Sequence, residues 1–245
     1  MSKTYNAEHY SHVHQVEQRH FWFLGRSELI TSVIARFIPN PMGCTFLDIG
    51  CGTGVMLRQL QRLGFATTGL DVNARALVYA KSQTNSLLVR SSIFQFSPKE
   101  MFDAVGAFDV MEHIHDDSEF IKKCYTLVHK GGYMFLTVPA GMHLWSSVDV
   151  ASGHKRRYTK HSMEKLIKDS GFRLVHMGYW NSLLLPIYSF WRILVGRKGE
   201  DVIQSYLVMP SPWINSLLLF ILRLERFLGY RLPFGATLIV VAQKI

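Results

Sequence analysis

Phe46-Leu47-Asp48-Ile49-Gly50-Cys51-Gly52-Thr53-Gly54 is the stretch on which the reading of this sequence turns. Residues 45–49 form an apolar run and read as a buried strand. Three glycines follow at alternate positions, and a helical pattern begins at Val55. Strand, glycine loop and helix together make a nucleotide-binding corner. Glycine lets the backbone come close to a ligand because no Cβ intervenes. The start of the helix offers that ligand unpaired N–H groups. Asp48 argues against a plain strand-to-helix turn, since a carboxylate at the end of a buried strand is costly unless it meets a partner. The dinucleotide fingerprint G-x-G-x-x-G would place its last glycine at position 55, where this chain has Val, so a dehydrogenase is disfavoured.

The elements around the corner alternate. Met56, Leu60 and Leu63 mark one face of a helix that stops at Gly64. Residues 66–70 read as a second strand ending in Asp71, about 20 residues past the first glycine, where an acidic residue grips ribose hydroxyls in folds of this kind. Asp71 could instead cap the helix that follows. Residues 86–89, 102–108 and 133–138 read as three further strands. A helix over 116–129 is expected to stop at Gly131-Gly132. A helix over 162–170 and strands over 172–180 and 236–245 complete the pattern, which is that of a doubly wound sheet. Ahead of the corner, residues 5–38 read mostly as one helix ended by Pro39-Asn40-Pro41. It carries the aromatic-rich segment His20-Phe21-Trp22-Phe23-Leu24-Gly25-Arg26.

The chain has 245 residues, is 48% hydrophobic and carries a net charge of +9, enough for one full α/β core with an added segment. A basic balance fits nucleic acid, a membrane surface or an anionic substrate. The longest basic cluster is only Lys155-Arg156-Arg157, which disfavours nucleic acid. Three unpatterned cysteines suggest a reducing compartment without a disulfide framework or cysteine metal site. The polar, His-rich start does not read as a secretory signal, so a cytoplasmic location is expected. Residues 181–233 are unusually apolar, with Trp191 and a run of ten residues from Trp213 to Leu222. That run is too short to span a bilayer, which needs about 20 residues. It reads as helices packed on the sheet or on a partner, as a roof over an apolar substrate, or as a face lying on the inner membrane surface.

The pattern D-x-G-x-G-x-G resembles the first motif of class I S-adenosylmethionine-dependent methyltransferases, and the resemblance extends over residues 44–180 and the final strand. It implies an α/β fold with a doubly wound, Rossmann-like seven-stranded sheet and helices on both faces. Within one domain it implies an N-terminal helical lid (1–42), a cofactor-binding core (43–180), a helical insertion (181–233) and a last strand (234–245). It implies S-adenosylmethionine as cofactor. Asp48, Gly50, Cys51, Gly52 and Gly54 would serve its methionine end, and Asp71 and Val72 its ribose. Phe108 and Asp109 would stand at the end where methyl transfer occurs. Many family members carry an acidic residue near the adenine amino group. This chain has Ser92 there, leaving the Ser92 hydroxyl and the Ile93 N–H as candidates.

The resemblance also places His113 beside the methyl group, as a general base or as a shaper of the pocket. Asp109-x-x-Glu112-His113 resembles the E-x-x-E-H metal ligands of some relatives. Asp replaces the first Glu, however, and a later His ligand has only loose candidates such as His143; no metal is expected. His154, Arg156, Arg157 and Tyr158 match an H-x-R-R-Y segment that recurs in such methyltransferases. Arg is a planar fork suited to an anionic group. The alternative is a loop in which one Arg pairs with Asp149 and the other caps backbone carbonyls. The expected acceptor is a small apolar or anionic molecule, lipid-linked or prenyl-like. A nucleotide-sugar or glycan methyltransferase, or a partner-binding protein without chemistry, are the alternatives. The sequence leaves the oligomeric state open.

Overall fold

The computed structural model describes residues 7–186, 208–227 and 232–245. Seven strands run β1 (Thr45–Ile49), β2 (Ala66–Asp71), β3 (Leu87–Arg90), β4 (Phe102–Phe108), β5 (Val128–Pro139), β6 (Phe172–Trp180) and β7 (Thr237–Lys244). They form one sheet in the order β3-β2-β1-β4-β5-β7-β6. The first five are mutually parallel, and β7 enters antiparallel between β5 and β6. This is the expected seven-stranded Rossmann-like sheet. Its order reverses between β1 and β4, and the carboxyl ends of those two strands flank the crevice where such sheets bind ligands.

Side chains alternate across each strand and so feed two cores. Leu47, Leu70, Val105, Met134 and Leu136 enter one, with Phe120, Met163 and Ile167 from α5 (Asp117–Leu127) and α7 (Lys160–Asp169). Phe46, Ala104 and Phe135 enter the other, with Leu60 from α3 (Val55–Leu63) and Leu29 and Ile34 from α2 (Phe21–Phe37). Trp180 is buried in this second core, with the Trp22 ring 4.9 Å away.

Two expectations are corrected. The N-terminal segment is two helices, α1 (Ala7–Val16) and α2, because His20 caps the second by accepting from the Trp22 N–H at 3.3 Å. The helix over 116–129 ends at Leu127, and Gly131 and Gly132 lie inside β5. Gly131 takes φ 85°, and a Cβ on Gly132 would stand 2.5 Å from the Asp103 carbonyl oxygen, so glycine here serves strand contact rather than a helix stop. Lys244 Nζ caps the helix end instead, donating to the Tyr125 and Val128 carbonyls at 2.8 Å each.

Of the apolar segment, the structure describes its first residues and α8 (Pro212–Phe227); Trp191 lies outside the described residues. The described helix packs on the lid helix α2. Asn215 accepts from the Phe21 N–H at 2.8 Å and donates to the Arg19 carbonyl at 2.9 Å. Leu222 crosses at Gly25, where a Cβ would meet its Cδ1 at 2.7 Å. Glu225 is 1% exposed and accepts from the Ser182 N–H at 2.9 Å, tying α8 to the end of β6. No helix among the described residues is long and apolar enough to cross a membrane.

Gly54 supports a stability prediction. It takes φ 90°, and a Cβ there would come 2.9 Å from Ala80 Cα in α4 (Ala74–Gln83). Both backbone strain and the clash act against any side chain, at about 1–3 kcal/mol for the strain alone. Gly54→Ala is expected to lower the denaturant midpoint by at least that free energy without changing the slope. An unchanged midpoint in urea unfolding would refute the packing argument.

Candidate active site

The corner is held by β2. The Gly50 and Cys51 N–H groups donate to the Leu70 carbonyl at 2.7 and 3.1 Å, which turns the loop over the sheet edge. Gly52 donates to Asp71 Oδ2 at 2.9 Å, and the Asn73 N–H donates to Oδ1 at 2.8 Å. Asn73, not Asp71, caps α4, accepting from the Arg75 N–H at 2.9 Å. A carboxylate has about four acceptor sites, so Asp71 keeps capacity for two hydroxyls. The glycines differ in purpose: a Cβ on Gly50 would press to 2.5 Å from Val110 Cγ2, whereas one on Gly52 would meet nothing within 4 Å. Gly52 is thus the point of open backbone approach. The Cys51 thiol is buried, and burial pushes its pKa up, so it acts as a small apolar group. Val72 is exposed at the rim, and Ser92 is half-buried. The Ile93 side chain belongs to the core, which leaves its backbone to meet a ligand.

Asp48 is 2% exposed, and its Oδ2 has no hydrogen-bond partner. Burial raises its pKa to about 8; Arg26 opposes the shift and Asp71 adds to it. A buried carboxylate of this kind fits the ammonium of a methionine moiety.

The neighbouring strand end carries a second feature. Asp109 takes φ 59°, unusual for a residue with a side chain, and its N–H donates to the Thr137 carbonyl at 2.9 Å. Arg26 reaches in from the lid. Its Nη2 donates to the Phe108 carbonyl at 2.7 Å, and its Nε forms an ion pair with Asp109 Oδ2 at 2.6 Å. The Phe108 ring lies in the second core. The lid has another anchor that the sequence did not reveal. Glu17, buried beside the glycine loop, accepts from Thr53 Oγ1 at 2.5 Å and from Gln83 Nε2 at 2.9 Å.

After β4, a single 3-10 turn (Met111–His113) presents Glu112 and His113. Lys155 N–H donates to the Glu112 carbonyl at 2.8 Å, which brings the H-x-R-R-Y loop alongside. The His113 and His154 rings meet edge-to-face at 4.8 Å. Burial, and then His154, lower the His113 pKa to about 4, so near neutral pH it is a neutral imidazole and a weak base. Glu112 is fully buried with neither carboxyl oxygen hydrogen-bonded, and burial beside Asp109 raises its pKa. Glu112, His113 and His154 bring ligand-type atoms within 4.8 Å of one another. Asp109, first in the metal-like pattern, is outside that group and engaged by Arg26, and His143 is also outside it. Of the resembling pattern, Glu112 and His113 come together with His154 in the place of a later His, while Asp109 stands apart.

The rest of the loop is fastened down. Arg157 grips Asp149 with two bonds of 2.8 and 3.0 Å and donates to the Ala140 carbonyl at 3.2 Å. Arg156 pairs with Asp117 at 2.7 Å and donates to the His115 carbonyl at 2.7 Å. Tyr158 is 2% exposed, and its hydroxyl donates to Asp117 at 3.2 Å. Both guanidiniums expected to hold an anionic substrate already face carboxylates, and the Tyr158 phenol is part of the core. His154 is the member of this segment that turns toward Glu112 and His113.

Comparison with known proteins agrees with this geometry. The family described as "Methyltransferase domain" matches residues 19–177. The ubiquinone biosynthesis O-methyltransferase of Caulobacter vibrioides is 36% identical over 179 residues, covering 68% of this chain and 71% of that protein. The protein of the same name from Rhodopseudomonas palustris strain BisB18 is 34% identical over 97 residues, and there the match spans only 38% of the relative's length. Among solved structures, phosphoethanolamine N-methyltransferase 2 of Haemonchus contortus in complex with S-adenosyl-L-methionine aligns with a TM-score of 0.67 at 18% identity, over 99% of this chain and 58% of that one. Magnesium protoporphyrin IX methyltransferase of Synechocystis PCC 6803 aligns at 0.57 and 15% identity, over 91% and 81% of the two chains. At such identities the structural likeness speaks for the fold.

An Asp48 carboxylate that pairs with the cofactor's ammonium is expected to make binding pH-dependent. Its carboxyl must be ionised to pair with an ammonium, and it is protonated below about pH 8. Binding at lower pH therefore expels a proton, and affinity rises with pH by up to about tenfold per unit. Calorimetry between about pH 6 and about pH 7, in two buffers of different ionisation heat, should register that proton. Asp48→Asn should abolish the dependence. Asp71→Ala removes a charged acceptor, at about 1.5–3 kcal/mol, and should weaken the cofactor by about tenfold to a hundredfold. Equal affinity in either variant would contradict its assignment.

Proposed function

This chain belongs to the S-adenosylmethionine-dependent methyltransferases, and from that premise we propose that it transfers the cofactor's methyl group to a hydroxyl of a small apolar, lipid-like acceptor. Residues 43–180 and 234–245 serve as the cofactor-binding core, 1–42 as its lid and 181–233 as the part that meets the acceptor. When bound, S-adenosylmethionine supplies an electrophilic methyl on a sulfonium. The glycine loop and Asp48 orient its methionine end, Asp71 its ribose, and the Ser92–Ile93 loop its base. Displacement at that methyl is in-line, so much of the rate comes from alignment.

The observation that carries the acceptor class is the outer face of α8. Trp213, Leu217, Phe220, Leu224 and Phe227 recur at helical spacing and stand 45–83% exposed, while Leu219 and Leu222 pack inward. An apolar stripe of this form suits a lipid surface or a lipid-like molecule. Arg223 is paired with Glu28, and the two loop arginines are paired as well, so the cations in view are occupied and an anionic acceptor is less well served. The relatives named ubiquinone biosynthesis O-methyltransferases support oxygen as the acceptor atom and a quinone-type ring as its setting.

Two measurements test this reading. A 3-prenylcatechol incubated with the enzyme and S-adenosylmethionine should yield a monomethyl ether by mass spectrometry, whereas a nucleotide sugar should not react. Vesicles of phosphatidylcholine and phosphatidylglycerol should co-sediment the wild type, and Trp213→Ser/Phe220→Ser should remove most of that binding while leaving cofactor affinity intact. Methylation of the sugar alone would replace the acceptor class. A wild type that ignores vesicles would remove the membrane role.

A further inference from the structure

The two imidazoles at the end of β4 are built for different work. His113 is enclosed, and burial together with the adjacent His154 disfavours its charged form. His154 has a carboxylate behind it: its Nδ1 lies 2.9 Å from Asp149 Oδ1. Asp149 is fully buried and rigidly held. Ser146 donates to Oδ2 through its N–H at 2.8 Å and its hydroxyl at 3.0 Å, and Arg157 holds both oxygens. These contacts keep Asp149 ionised, so Nδ1 carries a proton toward it, and in the neutral ring the lone pair is on Nε2. Nε2 stands 3.9 Å from Glu112 Oε1, beyond a direct hydrogen bond, on the side shared with His113. A carboxylate–imidazole pair with a bare outer nitrogen is the arrangement that takes a proton from a hydroxyl.

We propose that His154, oriented by Asp149, is the general base of methyl transfer, with Asp149 a positioning residue and Arg157 and Ser146 the clamp that holds it. The inference rests on the oxygen acceptor proposed above. As the acceptor oxygen attacks the methyl carbon, its proton passes to Nε2. The new O–C bond forms while the S–C bond breaks, its electron pair returns to sulfur, and the sulfonium becomes a neutral thioether. The positive charge thus moves from sulfur to the imidazole, where Asp149 faces it. The resulting imidazolium later yields its proton to solvent through the exposed edge of the loop.

The titratable and charged groups that face His154 are Asp149 from its own loop and Glu112 and His113 from the 3-10 turn, with Arg157 holding Asp149. The first test needs no acceptor. Imidazole 15N NMR of the wild type should give His154 as the Nδ1–H tautomer, and Asp149→Asn should shift it toward Nε2–H. The second uses 3-prenylcatechol: His154→Ala should lower kcat by about 10²–10⁴ with cofactor affinity kept. Added imidazole should restore part of the lost rate, which it would not do for a structural residue. Three results would overturn the proposal: an Nε2–H tautomer in the wild type, His154→Ala turnover within tenfold of wild type, or turnover that requires an added divalent ion which His154→Ala no longer binds. If the wild type binds cofactor but ignores the catechol, the acceptor class fails, and the tautomer still decides the dyad.

Discussion

One half-buried cation, Arg26, acts on three carboxyl groups at the sheet edge. It pairs with Asp109, and its field lowers the cost of ionising Asp48 and Glu112. Ion pairs of this kind seldom add net stability, because desolvation offsets the attraction. What they contribute is position. The same guanidinium donates to the Phe108 carbonyl, so α2 and the end of β4 are fixed relative to one another by one side chain. Trp22, one turn earlier on α2, packs against the buried Trp180 and seats the same helix on the sheet.

The distribution of charge around the reaction centre follows from that arrangement. Asp48 and Asp71 lie at the glycine corner, while Asp149 lies after β5 with its own clamp of Arg157 and Ser146. Burial raises the pKa of the first two, whereas hydrogen bonds from His154 and Arg157 outweigh burial and lower that of Asp149. The same residue type is thus tuned in opposite directions within one cleft by the donors that surround it. A carboxylate that must stay charged is given its partners by the protein; one that is to receive a cationic ligand has an oxygen left over.

The strands and the glycine corner were legible in the sequence because apolar runs and glycine spacing report local geometry directly. The limits expected for β4 and β6 match the observed strands. The break between α1 and α2 was not legible, since nothing in the spacing reveals that His20 turns back to cap the second helix. Gly131-Gly132 misled because glycine that ends a helix and glycine that lets two strands approach look alike in one dimension. Arg156 and Arg157 were read with two open possibilities, and only the fold brings Asp117 and Asp149 within reach. Arg26 stands out in the aromatic-rich segment His20–Arg26, whereas Glu17 was hidden: it acts on a segment far along the chain, and no local pattern encodes that distance.

The place of β7 has a consequence for how the protein comes to be folded. It is the last of the seven strands in sequence, yet it lies between β5 and β6. Until it inserts, both neighbours expose an unpaired edge, the kind of template on which chains aggregate. Its pairings are among the longest-range in the sheet, and such contacts form slowly. Strands β1 to β5, all earlier in sequence, can pair with one another before β7 is made. The β5-β7-β6 part must wait for β7, so its completion is a late step of folding. Substitutions inside Thr237–Lys244 therefore bear on the yield of native protein as much as on its final stability.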